Sequence, residues 1–181
     1  MHRRGLRWLS ILVCCVAASA FFASNSTAAS PVHVSLKSRS STVFDFPAGS
    51  VCPFAVSVDF FRSDGMLLKF SDGVHLLTGD TWIQFTNVDT GETRLLREAG
   101  TLTITPLNAD TKSYLTEGAE LSAFAPGQLG PDQPGAFLWI IGRSLEIDQT
   151  PGPNPDPNFG FTTLSFQVLS GSAENLCVTM A

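Results

Sequence analysis

The chain has 181 residues, 44% of them hydrophobic and 15% charged, with a formal net charge of −5. That length and apolar content suit a single domain able to bury its own core without a metal to hold it together. The acidity argues against nucleic acid or an anionic membrane surface as a partner, since either needs a basic patch to displace counterions.

The N-terminus carries Arg3, Arg4 and Arg7, then an apolar run from Trp8 to Phe22, then the small residues Ser26-Thr27-Ala28-Ala29. This charged, apolar, small-residue order predicts a secretory signal peptide over residues 1–29, cleaved after Ala29. The apolar run, about 15 residues, is short for a bilayer core of roughly 30 Å, and no later segment is a long uninterrupted apolar stretch. The mature protein is therefore expected to be secreted and soluble, with no membrane span. A lipidated cysteine needs a small residue before it, and Val13 and Cys14 precede Cys14 and Cys15. Signal removal takes away three arginines and no acid, which leaves 8 basic against 16 acidic residues, a formal charge of −8.

The same cleavage leaves only Cys52 and Cys177. In an oxidising compartment, a lone pair at opposite ends of a domain reads as a disulfide rather than a metal half-site or a catalytic thiol. Closing so long a loop stabilises a fold by about 2–4 kcal/mol, largely through the unfolded chain. The bond is expected to staple the last strand to the first main one.

Residues 30–42 are Ser-rich with Lys37 and Arg39, and form a loose mature N-terminus unless Val32, Val34 and Leu36 add an edge strand. Residues 43–181 read as one all-β domain. Phe54, Val56, Val58 and Phe60 alternate with Ala55, Ser57 and Asp59, as a strand with one face in a core does. Met66–Phe70 and Val74–Leu77 flank Asp72-Gly73, a hairpin signal because Asp-Gly tolerates positive φ. Leu102 and Ile104 alternate with threonines, and Leu164, Phe166 and Val168 with Ser165 and Gln167. Ala136 to Ile141 does not alternate, which predicts a strand covered on both faces. Further turn signals fall at Ser63-Asp64-Gly65, Gly79-Asp80, Asp89-Thr90-Gly91, Ala99-Gly100, Glu117-Gly118, Gly142 and Ser170-Gly171. The Pro-rich segment 150–158 must be a surface loop, because each proline removes a ladder donor.

No mature stretch shows a 3.6-residue period, so helix is expected to be minor. Strands linked in succession by short turns predict a single antiparallel meander closing as a small β-barrel, with a β-sandwich as the alternative.

Motifs of chemistry are absent: no Gly-x-Ser-x-Gly, His-Glu-x-x-His, phosphate-binding glycine loop or Cys-x-x-Cys. The mature histidines, His33 and His75, have no neighbouring nucleophile signal and no metal-ligand spacing. Asn154, Asp156 and Asn158 lack the glycine and glutamate of a calcium loop. Asp59, Glu146 and Asp148 sit opposite apolar strand positions and are expected on a solvated face, the other possibility being a polar barrel lumen. Trp82 and Trp139 are the candidate floor of a sugar or lipid pocket, although tryptophan in a β core is the commoner case. No catalytic residue, metal site or cofactor is assigned.

Cys52-Pro53-Phe54, then Thr86-Asn87-Val88-Asp89-Thr90-Gly91, Gly100, Pro134 to Gly142, and Leu176-Cys177 follow one another along the chain. In that order they resemble a family of secreted actinobacterial β-proteins with no established activity, over most of the mature length. The family usually has Asp two positions before the C-terminal cysteine, where this chain has Asn175. The resemblance implies an exported β-fold and brings no site residues. The favoured function is a non-catalytic extracellular module that binds a small ligand or a protein. The alternative is a small secreted enzyme or enzyme inhibitor, working through barrel-mouth carboxylates or the loop 150–158.

Overall fold

The computed structural model describes residues 30–150 and 161–181. The expected signal peptide and most of the Pro-rich loop therefore lie outside the described residues. The strands are β1 (Val32–Ser38), β2 (Thr42–Phe46), β3 (Val56–Lys69), β4 (His75–Asn87) and β5 (Thr93–Pro106), followed by β6 (Thr111–Phe124), β7 (Ala136–Gln149) and β8 (Thr162–Asn175). A one-turn helix, α1 (Leu176–Thr179), closes the chain. All eight strands belong to one antiparallel sheet in the order β1-β3-β4-β5-β6-β7-β8, with β2 also on β3. The all-β meander expected from alternation is the observed fold. The hydrogen-bonded ladder does not join β1 or β2 to β8, so the sheet is not closed into a ring.

Val32, Val34 and Leu36 do add an edge strand: β1 pairs with the second half of β3 and β2 with the first half. Together they cover one long edge, which removes the row of unpaired backbone groups that a 14-residue strand would otherwise expose.

Two turn expectations hold. At Asp72-Gly73, the Gly73 N–H donates to Phe70 O at 3.1 Å and the Val74 N–H to Asp72 Oδ1 at 3.0 Å. At Asp89-Thr90-Gly91, the Asn87 side chain accepts from the Asp89 and Thr90 N–H groups. The other glycine signals are corrected. Gly65, Gly79, Gly100, Gly118, Gly142 and Gly171 lie inside strands, and each is the register partner of the next across five neighbouring ladders. They form one line of glycines running across the sheet from β3 to β8.

A glycine inside a strand marks a tight bend or a close backbone approach, and here it marks both. Gly100 and Gly118 take φ of +154° and +142°. A Cβ on Gly118 would overlap the Ala99 carbonyl oxygen and come within 2.8 Å of Gly100 Cα. Every strand from β4 to β8 therefore folds at the same line. Ser144 Oγ donates to Glu120 although the ladder partner of Glu120 is Ile140. Phe124 packs on Phe166 at 4.7 Å although the two face opposite ends of β7, at Ala136 and Glu146.

On one side of the glycine line the β5–β6 ladder stops: pairing runs from Ala99↔Ala119 to Pro106↔Lys112 and no further. The freed half-strands face each other across the core. Phe46 and Phe85 meet Phe137 edge-on, each at 5.1 Å, and Arg94 on β5 forms a bidentate pair with Glu174 on β8. Phe46, Val56, Val58, Ile83, Phe85 and Phe137 are all buried there. Cys52 and Cys177 are bonded, with Cα atoms 5.1 Å apart. Their disulfide ties the turn before β3 to α1 rather than strand to strand, because each cysteine lies just outside the strand it was expected to join. Asn87 reinforces that closure, donating from Nδ2 to Met180 O at 2.7 Å.

One burial expectation is corrected: Leu164 and Val168 are exposed on the sheet's end strand β8, although Phe166 between them packs on Phe124. The expectation for Ala136 to Ile141 holds as far as Ile140: Phe137 on one face and Ala136 and Ile140 on the other are buried, and only Ile141, at the end of the segment, is exposed.

Replacing Gly118 by Ala should cost about 3 kcal/mol or more, through overlap with β5 added to an unfavourable φ. Gly91→Ala, at φ +75° but in open space, should lose only about 1 kcal/mol. Chemical denaturation followed by tryptophan fluorescence checks this, and equal losses would contradict the close approach.

Candidate functional site

The bend leaves a cavity of about 660 Å³ on the concave face, within the size range of small-molecule sites. Phe44 and Phe46 from β2, Phe60 from β3, Phe137 from β7 and Phe161 before β8 supply aromatic wall. Gly65, Gly79 and Gly100 contribute bare backbone, so the absent side chains enlarge the space as well as permitting the bend.

Five carboxyl groups line this space: Asp80 on β4, which is paired with Arg97, Glu98 on β5, Glu120 on β6, and Glu146 and Asp148 on β7. Period-two alternation puts Ser144, Glu146 and Asp148 on one face of β7, and the bend turns that face inward. The expectation that Glu146 and Asp148 lie on a solvated face is corrected, because the face predicted to meet water is concave and encloses the cavity. Asp59 does not line the cavity. It accepts from Ser41 Oγ at 3.2 Å.

Burial governs the acids. It raises Glu146 to about 8, and the neighbouring Asp148 charge pushes in the same direction. Burial also raises Asp148, while hydrogen bonds from Thr163 and Glu146 oppose the rise. Glu146 and Asp148 hydrogen-bond each other, which two carboxyl groups can do only by sharing a proton. Thr163 Oγ1 donates to Glu146 Oε1 at 3.0 Å. Glu98 is raised to about 7, again mainly by burial, although the Leu121 N–H donates to its Oε1 at 2.8 Å. That bond occupies a backbone donor left free where the β5–β6 ladder parts. Tyr114, opposite Glu146 in the register, also lines the cavity, and burial and the two β7 acids raise its phenol.

Trp82 and Trp139 are not part of this wall. Trp82 carries the Arg97 guanidinium 5.5 Å from its ring centroid, and Trp139 packs against the core cluster. His33 on β1 and His75 on β4 are separated by β3. No group of three or more potential metal ligands occurs among the described residues, and no helix among them is long and apolar enough to cross a membrane. Asn154, Asp156 and Asn158 lie outside the described residues. Sequence reasoning missed Glu98 and Glu120. Their signal was position, two residues before Gly100 and two after Gly118, at the inside of the bend.

No family model, no curated protein and no solved structure matches the chain.

Groups raised on folding hold protons more tightly in the folded state, so they stabilise most at acid pH. Their contribution falls as pH rises from the ordinary carboxylate range through the folded values, about 7 for Glu98 and about 8 for Glu146. Glu174, lowered chiefly by its bond to Arg94, acts oppositely and only below that range. The melting temperature should therefore drop between about pH 5 and pH 8.5, by on the order of 10 °C or more, and Glu146→Gln should flatten the slope. A flat wild-type profile in scanning calorimetry would contradict the buried placement.

Proposed function

We propose that the protein is a secreted, non-catalytic binding domain whose concave cavity holds one small, largely apolar molecule. The observation that carries this reading is the aromatic-walled space of about 660 Å³ with polar groups converging on one wall, the usual build of a small-ligand site. Export is supported by the N-terminal charged, apolar, small-residue order and by the Cys52–Cys177 bond, which suits an oxidising compartment. Kinship with the secreted actinobacterial β-proteins belongs to the same proposal and rests on turn and cysteine positions.

The convergence of Glu146 and Asp148 favours a second reading, acid–base catalysis on the bound molecule, because a proton-sharing pair can both give and take a proton. Recovery of a bound ligand unchanged after long incubation separates binding from turnover.

Titration with the neutral fluorophore N-phenyl-1-naphthylamine should show saturable one-site binding. A tryptophan at Thr116, which lines the cavity, should abolish it, whereas Trp82→Ala should leave it intact. No saturable binding, or loss of binding in Trp82→Ala alone, would contradict a cavity site.

A further inference from the structure

We infer that the ligand of this cavity is a hydrophobic organic cation, an apolar body with one protonated amine that docks against the acidic wall formed by Glu98, Glu120, Glu146 and Asp148. The inference rests on the cavity being a ligand site and adds the charge of the ligand.

Three observations converge. First, the acids of the cavity lack a basic counterpart: no lysine, arginine or histidine occurs among the described residues that line it. Asp80, a fifth lining acid, is already paired with Arg97. Lys112, opposite Asp148 in the register, is exposed and not in the wall. Second, Asp148 is only 5% exposed, and although Thr163 and Glu146 bond its carboxyl, its Oδ1 has no hydrogen-bond partner. A buried carboxylate oxygen without a donor is costly, and such a group in a native wall calls for a partner from outside the chain. Third, the remaining bonds within the wall are local and leave acceptor capacity unused. Ser144 holds Glu120, Thr163 holds Glu146, Glu146 and Asp148 hold each other, and one backbone N–H holds Glu98. An ammonium brings three donors and the missing charge, whereas an alcohol brings one donor and an anion brings repulsion.

The phenyl rings of Phe44, Phe60 and Phe137 then take the apolar body. Without the cation, the acids relieve their mutual repulsion by keeping protons. With it, the ammonium replaces them, so cation binding near neutral pH expels protons from the wall.

Three probes with one body test this: 4-phenylbutylamine, 4-phenylbutanol and 4-phenylbutyrate, titrated calorimetrically into the full mature domain at pH 8. The amine should bind at least tenfold more tightly than the alcohol, and the acid should not bind. Near pH 7, amine binding should release protons, read from the dependence of heat on the buffer's ionisation enthalpy, and alcohol binding should not. In Glu146→Gln/Asp148→Asn the amine's advantage should shrink to about twofold while the alcohol still binds. If that double variant does not fold, Glu98→Gln should reduce the same advantage, and the wild-type comparison is decisive by itself. Equal binding of amine and alcohol overturns the cation assignment and leaves the cavity reading standing. Tightest binding of the acid also overturns it, and binding of none of the three overturns both.

Discussion

The contact on which the rest of the structure depends is the approach of bare backbones along the line of glycines from Gly65 to Gly171. At alternate crossings, Gly65 with Gly79, Gly100 with Gly118 and Gly142 with Gly171, one strand's Cα fills space a neighbour's side chain would need: a Cβ on Gly142 or Gly171 would come within 2.8 Å of the other's Cα. Strands that close cannot continue straight with side chains on both faces. All of them bend together, and a single sheet acquires an inside. The core of phenylalanines on one side of the line, and the cavity that runs from that core across the line, are both consequences.

The same line explains the electrostatics. A carboxylate on an exposed strand face is ordinary, and Glu146 and Asp148 occupy positions that alternation assigns to such a face. Once the sheet folds, that face is enclosed, water is withdrawn, and the neutral forms of Glu98 and Glu146 are favoured. The bend thus turns a solubility feature into a group of acids without counter-ions. The parted β5–β6 ladder contributes too, because the backbone donor it frees at Leu121 is taken by Glu98.

Strand composition was legible in the sequence wherever alternation was undisturbed, as from Phe54 to Phe60, and so were the Asp72-Gly73 hairpin and the pairing of Cys52 with Cys177. What misled was glycine. Gly100 beside Ala99 and Gly118 beside Glu117 have the local chemistry of turns, and only long-range pairing shows that each sits mid-strand opposite another glycine. That pairing is a tertiary fact, which no window of neighbouring residues contains. The cavity inherited the error: with the glycines taken as turns the strands are half their true length, and Glu146 and Asp148 fall on solvent unless a barrel lumen takes them. The tryptophans drew attention as large aromatic side chains, yet the cavity wall is built of phenylalanine.

The central claim is that the glycine line folds a polar strand face into an enclosed, acid-walled space. Its most direct test is the carboxyl-carbon NMR titration of the wild-type domain, residue by residue. The expected result is that Glu98 and Glu146 titrate near 7 and near 8. Midpoints for both in the ordinary carboxylate range, near 4, would place these groups in water and contradict the fold of the sheet around them.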